Sequence, residues 1–277
     1  MFLDRWSREV QVAENTQHLR EAAIKEFANW TNKPLEEINR RAAGDYVCHL
    51  LDRGLQPSSA RAYLSKLSAY WKWLIVKGLI EPPNIWEGQT ARGQSTPREP
   101  WSPAEICYLI QNAQSERLRD AILIAAHSGL RADECCQLKR GDCIGGLLTV
   151  SDGKTAASKR MVPQHSAIQK LVAERMRGKQ PDDYLLHEYK GSGCQLSKDF
   201  SLLKAKLYGE AEGRQATKVF HSLRHFAKTA MLRGRARELA VNELLGHTER
   251  GMNRVYFHGV DPSELREAIE LIKVHDE

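Results

Sequence analysis

The sequence predicts a mainly α protein with a small antiparallel β-sheet, an all-helical first domain preceding a mixed α+β second one. Three observations carry this. Apolar residues recur at helical spacing through most of the first 80 residues, residues 81–101 lose that periodicity, and the stretch LLTVSDGKTAASKRMVPQH alternates like a strand pair. At 277 residues with 42% hydrophobic content, the chain is long enough for two modest domains, each with its own core.

In NTQHLREAAIKEFANW, Leu19, Ala23, Phe27 and Trp30 share one helical face. GDYVCHLLDRG reads as a shorter helix closed by Gly54. In PSSARAYLSKLSAYWKWLIVKG, Leu64, Leu67, Trp71 and Leu74 form the stripe before Gly78 stops it. The predicted domain of about four helices, residues 1–80, exposes Arg61, Lys66, Lys72 and Lys77. Residues 81–101, EPPNIWEGQTARGQSTPREPW, gather Pro, Gly, Gln, Ser and Thr with Arg92 and Arg98, and read as a linker. The second domain, 102–277, opens at SPAE, where Ser102 caps, Pro103 takes the first helical position and Glu105 completes a capping box. DAILIAAHSGL is an apolar helix stopped at Gly129, and RADECCQLKRGD starts the next. The hairpin has SDGK as its candidate turn, and helices follow at about 166–177, 197–212 and 220–233.

Composition narrows the function classes. Forty-one Lys and Arg against 35 Asp and Glu give a net charge of +6, and the pI is near 9.0, which favours a polyanionic partner without naming it. There is no apolar run of about 18 residues, and MFLDRWSREV carries charges where a signal peptide has its apolar region, so a soluble intracellular protein is expected. Six cysteines at 48, 107, 135, 136, 143 and 194 form no CxxC pair and no disulfide framework. Cys135 and Cys136 are expected to act as small hydrophobes.

Between Glu212 and Glu238, GRQATKVFHSLRHFAKTAMLRGRAR holds seven Lys and Arg and no acid, the pattern of a phosphate-facing surface or of a solvated basic face. His221 and Arg224 stand three apart and would share a helical face. His221 and His225 are four apart, but no carboxylate follows His221 and no third ligand is evident, so no metal is expected. Tyr256 stands nine residues past His247. For a tyrosine, of pKa about 10, to attack a phosphodiester it needs nearby cations to draw off its proton. The charge building on the phosphoryl oxygens needs guanidinium forks, and the leaving oxygen needs a proton from a lysine or histidine. The chain offers each part.

HSGLRADE, SDGKTAASKRMVP, FHSLRH, LLGH and the tyrosine beyond it stand in the order of the tyrosine recombinases of the phage-integrase family, which the chain resembles over essentially its whole length. The resemblance implies a SAM-like helical core-binding domain followed by an α+β catalytic domain. It implies that Arg131 and Arg224 clamp the scissile phosphate, that Glu134 braces the site and that His221 moves a proton. His247 would donate a hydrogen bond to the phosphate, and Tyr256 would be the nucleophile. Lys154 in SDGK matches the lysine that protonates the leaving 5′ oxygen. Lys159 takes that place if the hairpin turn falls differently, because an odd register shift reverses a side chain. Taken singly, Arg131 and Glu134 also read as a surface ion pair, and His247 as a helix-terminal histidine.

The implied activity is site-specific DNA strand transfer through a 3′-phosphotyrosyl intermediate and a Holliday junction, without ATP, metal or other cofactor, since the covalent ester keeps the energy of the broken bond. A type IB topoisomerase-like nicking and closing enzyme and a non-catalytic DNA-binding or architectural protein are the alternatives. Implied partners are double-stranded DNA carrying recombination sites and three further copies in a tetramer, the free protein being a monomer. Accessory DNA-bending proteins are a further partner class left open, and no membrane is involved. The implied location is cytoplasmic, with the nucleoid of a bacterium or phage host. Arg61, Lys66, Arg92, Arg98, Lys159 and Lys218 are the expected DNA contacts. Where the family often has two threonines the chain has Met252 and Asn253. The arm-binding domain of many integrases does not precede the helical one, so it is either missing from the protein or from this piece of it. The tail DPSELREAIELIKVHDE has a capped start at Asp261 and a stripe of Leu265, Ile269 and Ile272. That stripe would pack on its own domain or, as the resemblance suggests, on a neighbouring protomer.

Overall fold

The computed structural model describes residues 2–93, 99–151, 159–209, 217–247 and 260–274. Arg98, Lys154, Met252, Asn253 and Tyr256 lie outside the described residues, as does the hairpin turn from Asp152 onward. Contacts divide the chain into two units, 1–96 and 97–277.

The first unit contains α1 (Leu3–Glu9), α2 (Glu14–Thr31), α3 (Arg40–Asp52) and α4 (Pro57–Val76). Their apolar stripes meet in an aromatic core in which Phe27 touches Tyr46 and Trp86, each with ring centroids 4.9 Å away, and Trp71 at 6.0 Å. Glu9 pins α1 to α4: its carboxylate takes Lys77 Nζ at 2.6 Å and accepts from Trp73 Nε1 at 3.0 Å, so Lys77 is an ion-pair partner rather than a loose surface cation.

The expected linker of 81–101 is too long at both ends. Trp86 and Ala91 are buried in the first core. Asn84 holds the segment locally, donating to Ser68 O and accepting from the Trp86 amide, both at 3.1 Å. At the other end Trp101 belongs to the second core and donates to Val219 O at 3.1 Å. Two large rings bring far more apolar area than a Pro/Gly-rich composition suggests, and burying each contributes roughly 2 kcal/mol.

The second unit begins with α5 (Pro103–Gln111), whose Ser102–Glu105 capping box forms as its residues predict. Then come α6 (Glu116–Ser128), α7 (Ala132–Gln137), strands β1 (Leu147–Val150) and β2 (Arg160–Pro163), α8 (Ser166–Met176), α9 (Gly193–Tyr208), α10 (Ser222–Arg233), α11 (Glu238–Leu245) and α12 (Pro262–Glu270). The architecture is mainly α, and among the described residues the two strands form an antiparallel sheet running from Leu147↔Pro163 to Val150↔Arg160. α6 is the central helix, with Ala121, Ile122, Ile124, Ala125 and Ala126 all fully buried. Cys135, Cys136 and Cys143 fill the same core as small apolar groups. None of the described helices is long and apolar enough to cross a membrane.

The tail helix α12 packs on α11 and β2 of its own unit. Leu265, Ala268, Ile269, Ile272 and Val274 are buried there, so the stripe that would suit a neighbouring protomer is already covered. Glu270 closes the contact by capping α8, accepting from the Ser166 amide at 2.8 Å and its hydroxyl at 2.7 Å.

Candidate active site

Two helix ends and one helix start build the site. α6 stops at Gly129, whose φ of 67° is left-handed, and a Cβ there would lie 2.5 Å from Leu245 Cδ2. Two residues on, Arg131 precedes α7, while α11 stops at Gly246 with φ 61°. The last carbonyls of a helix have no partner within it, and here guanidiniums take them. Arg224 Nη1 donates to Gly129 O at 2.9 Å and its Nη2 to Leu245 O. Arg160 Nε donates to Leu244 O at 2.7 Å. Arg224 thus lies between the negative ends of α6 and α11.

Glu134 is the shared counter-charge. Only 7% exposed, it accepts from the Arg131 amide at 2.8 Å and from Arg131 Nη1 at 2.6 Å. The Arg160 fork meets it at 3.0 and 2.9 Å, and Arg224 Nη1 lies 3.8 Å away. Burial by itself would raise its pKa. The Arg160 fork and charge, then Arg131, outweigh that and carry it down to about 2. Three guanidiniums against one carboxylate leave an excess of two positive charges among these four residues. Burial, and then the like charge of Arg131, disfavour the charged form of Arg224. An arriving anion relieves that repulsion, which is what a phosphate clamp requires.

His247 follows the end of α11, its amide donating to Asn242 O at 2.9 Å. Its ring keeps an exposed edge, yet partial burial and then the charges of Arg224, Lys228 and Arg131 push its pKa down to about 4. At neutral pH its imidazole is therefore uncharged. A histidine NMR titration of the free protein, assigned with His247→Gln, is expected to show a midpoint near 4 that climbs when inorganic phosphate or vanadate occupies the clamp. A midpoint near the unperturbed value of about 6.5, indifferent to both anions, would mean that no cationic field acts on His247.

The structure therefore brings together Arg131, Glu134, Arg224 and His247 of the residues singled out in the sequence. His221 is the N-cap of α10, one turn before Arg224, with its ring 5.2 Å from that of His225 in an edge-on arrangement. Lys159 is exposed, as strand alternation demands when its neighbour Arg160 turns inward. Among the other expected DNA contacts, Lys66 lies over the Tyr63 ring at 5.1 Å and Arg92 is exposed. Arg61 donates to Ala91 O at 2.8 Å, so part of its fork holds the chain after Trp86. Lys218 is paired with both oxygens of Glu105 at 2.6 and 2.8 Å, and the basic stretch is less one-signed in space than in sequence.

Two residues near this clamp escape sequence reasoning. Arg160 is one of two adjacent cations in SKRMVP, and only the burial of its strand face marks it out. Lys228 lies one turn beyond Arg224 on α10, and its charge reaches His247. The i, i+4 spacing from Arg224 is the signal that was available for it.

A cluster of guanidiniums held by helix ends and one buried carboxylate, beside a neutral histidine, suits an enzyme acting on a phosphodiester. The phage integrase family model matches residues 102–261, more than half of the chain. The chain belongs to the phage integrase family and is a tyrosine recombinase, a DNA strand-transferring enzyme of site-specific recombination. The tyrosine recombinase XerA of Thermococcus kodakarensis is 27% identical over 267 residues, covering 91% of this chain and 86% of that one. The integrase of transposon Tn1549, solved with a circular intermediate DNA, shares the fold with a TM-score of 0.73 at 17% identity over 97% of each chain. A lambda integrase tetramer bound to a Holliday junction gives 0.67 at 20% identity, covering 91% of this chain and 77% of that one.

Proposed function

We propose that this recombinase cuts and rejoins DNA through a covalent bond to Tyr256. One observation carries the reading: Arg131 and Arg224 stand at the buried Glu134 carboxylate, His247 lies within the field of both arginines, and Tyr256 follows His247 by nine residues. The Tyr256 oxygen attacks the phosphorus of a phosphate held by the two arginines and His247. The bond to the 5′ oxygen breaks, Lys154 supplies the proton that leaves with it, and a 3′-phosphotyrosyl ester remains. His221 takes the proton that the Tyr256 hydroxyl gives up as the ester forms, and returns it when the tyrosine leaves. The freed 5′ hydroxyl attacks the ester on a partner duplex, and two such rounds pass through a Holliday junction.

Four copies on two DNA sites supply the four strands to be exchanged, a reading supported by a lambda integrase solved as a tetramer bound to a Holliday junction. Residues 1–80 bind the recognition site through Arg61 and Lys66, and Arg92, Arg98 and Lys159 add contacts from the rest of the chain; phosphate contacts set position and base-edge contacts select sequence.

The test uses a pool of nicked suicide duplexes with a randomised core. The expected product is a protein–DNA adduct that survives denaturant, maps to Tyr256 by mass spectrometry and enriches one core sequence. Strand exchange between two differently labelled copies of that duplex is then expected. Adducts absent, or attached elsewhere, while the protein still binds DNA would refute the covalent reading. Resealing of each duplex without exchange would leave a nicking and closing enzyme instead.

A further inference from the structure

We infer that Arg160 is a positioning residue for strand cleavage, acting through Glu134 on Arg131 and through Leu244 O on the chain that leads to His247. The inference rests on the reading of the clamp as a phosphate site.

Its side chain is 3% exposed. A guanidinium so placed is costly to bury unless its donors are answered. Here they are answered in two directions: the fork lies flat against both oxygens of Glu134, and Nε turns to Leu244 O at 2.7 Å. Arg160 pairs with Val150 at the last step of the ladder, as the first residue of β2. One side chain therefore ties β2 to the start of α7 and to the end of α11. With Arg224 holding Leu245 O and Arg160 holding Leu244 O, two successive carbonyls are fixed just before Gly246 and His247. The hydrogen bonds of Glu134 to the Arg131 amide and guanidinium are then made by a carboxylate that Arg160 has already oriented. Lysine cannot replace it, since an ammonium is a point charge without a planar fork and cannot span both oxygens and the carbonyl together.

The experiment compares Arg160→Lys and Arg160→Met with wild type on the duplex enriched by covalent capture. Single-turnover cleavage is expected to fall about 10²-fold in both, as for a clamp displaced by a fraction of its working geometry, while the Kd for the duplex changes no more than a few-fold. In Arg160→Met the His247 NMR midpoint is expected to rise, because one of the cations that depress it is gone. In a Glu134→Gln background, Arg160→Lys is expected to add little further loss, as for two residues acting in one chain of contacts. Arg160→Lys cleaving like wild type, or losses that multiply independently of Glu134, would overturn the inference. If Arg160→Met does not fold, Arg160→Lys decides through the split between rate and Kd. A wild-type protein that forms no adduct would instead count against the proposed function, and the response of the His247 midpoint would still report on Arg160.

Discussion

Arg224→Lys is expected to cut single-turnover cleavage by roughly 10²- to 10³-fold, the scale on which losing one preorganised donor to a developing oxyanion acts. The reason is geometric. Arg224 is 3% exposed, and its two terminal nitrogens are held by carbonyls from different helices, Gly129 O at 2.9 Å and Leu245 O. A lysine keeps the charge but cannot reach both carbonyls while facing a phosphate, and it leaves at least one helix-end carbonyl without its donor. Binding of the duplex should suffer far less, because many phosphate contacts share that energy. Measuring adduct formation and Kd on one duplex separates the two. Cleavage at the wild-type rate with Arg224→Lys would mean that the fork geometry is irrelevant to the chemistry.

Glu134→Gln is expected to cost roughly 3–5 kcal/mol of stability near pH 7, as when one partner is removed from a buried ionic network. Glutamine nearly matches the shape, but its amide nitrogen faces a guanidinium, and Arg160 and Arg224 lose their counter-charge. The pH dependence follows from the same contacts. The Glu134 carboxyl is held at about 2 against an ordinary 4.5. Its contribution is therefore complete above pH 4.5, declines as pH falls through the window down to about 2, and is lost below it. That shift corresponds to roughly 3 kcal/mol. Urea unfolding of wild type and Glu134→Gln, compared at pH 7 and again near pH 3, should show the gap between them shrinking in acid. A gap that stays constant, or widens, would show that the Glu134 charge is not what holds these arginines. Cleavage should fall with stability restored by cooling, since the amide keeps only one of the two oxygens that accept from the Arg131 backbone and guanidinium.

The helix ends were legible because left-handed caps need glycine, and Gly129 and Gly246 stand in that role. The Ser102–Glu105 start was legible because a capping box is local to four residues. Arg131, Glu134, Arg224 and His247 were legible as types in an order and at spacings. Trp86 was not, since its neighbours read as linker while its burial depends on Phe27 and Tyr46, far off along the chain. Lys218 reads as part of a basic run, and only folding brings Glu105 to it.

The sequence by itself determined the mainly helical fold, the family to which the chain belongs, and the types and spacings of Arg131, Glu134, Arg224 and His247. These depend on periodicity, local capping and motif spacing, all of which act over a few residues. Only the tertiary structure decided that Arg160 shares Glu134 with Arg131, that Arg224 spans two helix ends, and that the tail helix covers its stripe on its own unit. A strand's alternation tells which residues share a face. What covers that face, and so which buried charge is answered by which, depends on elements brought together from distant parts of the chain.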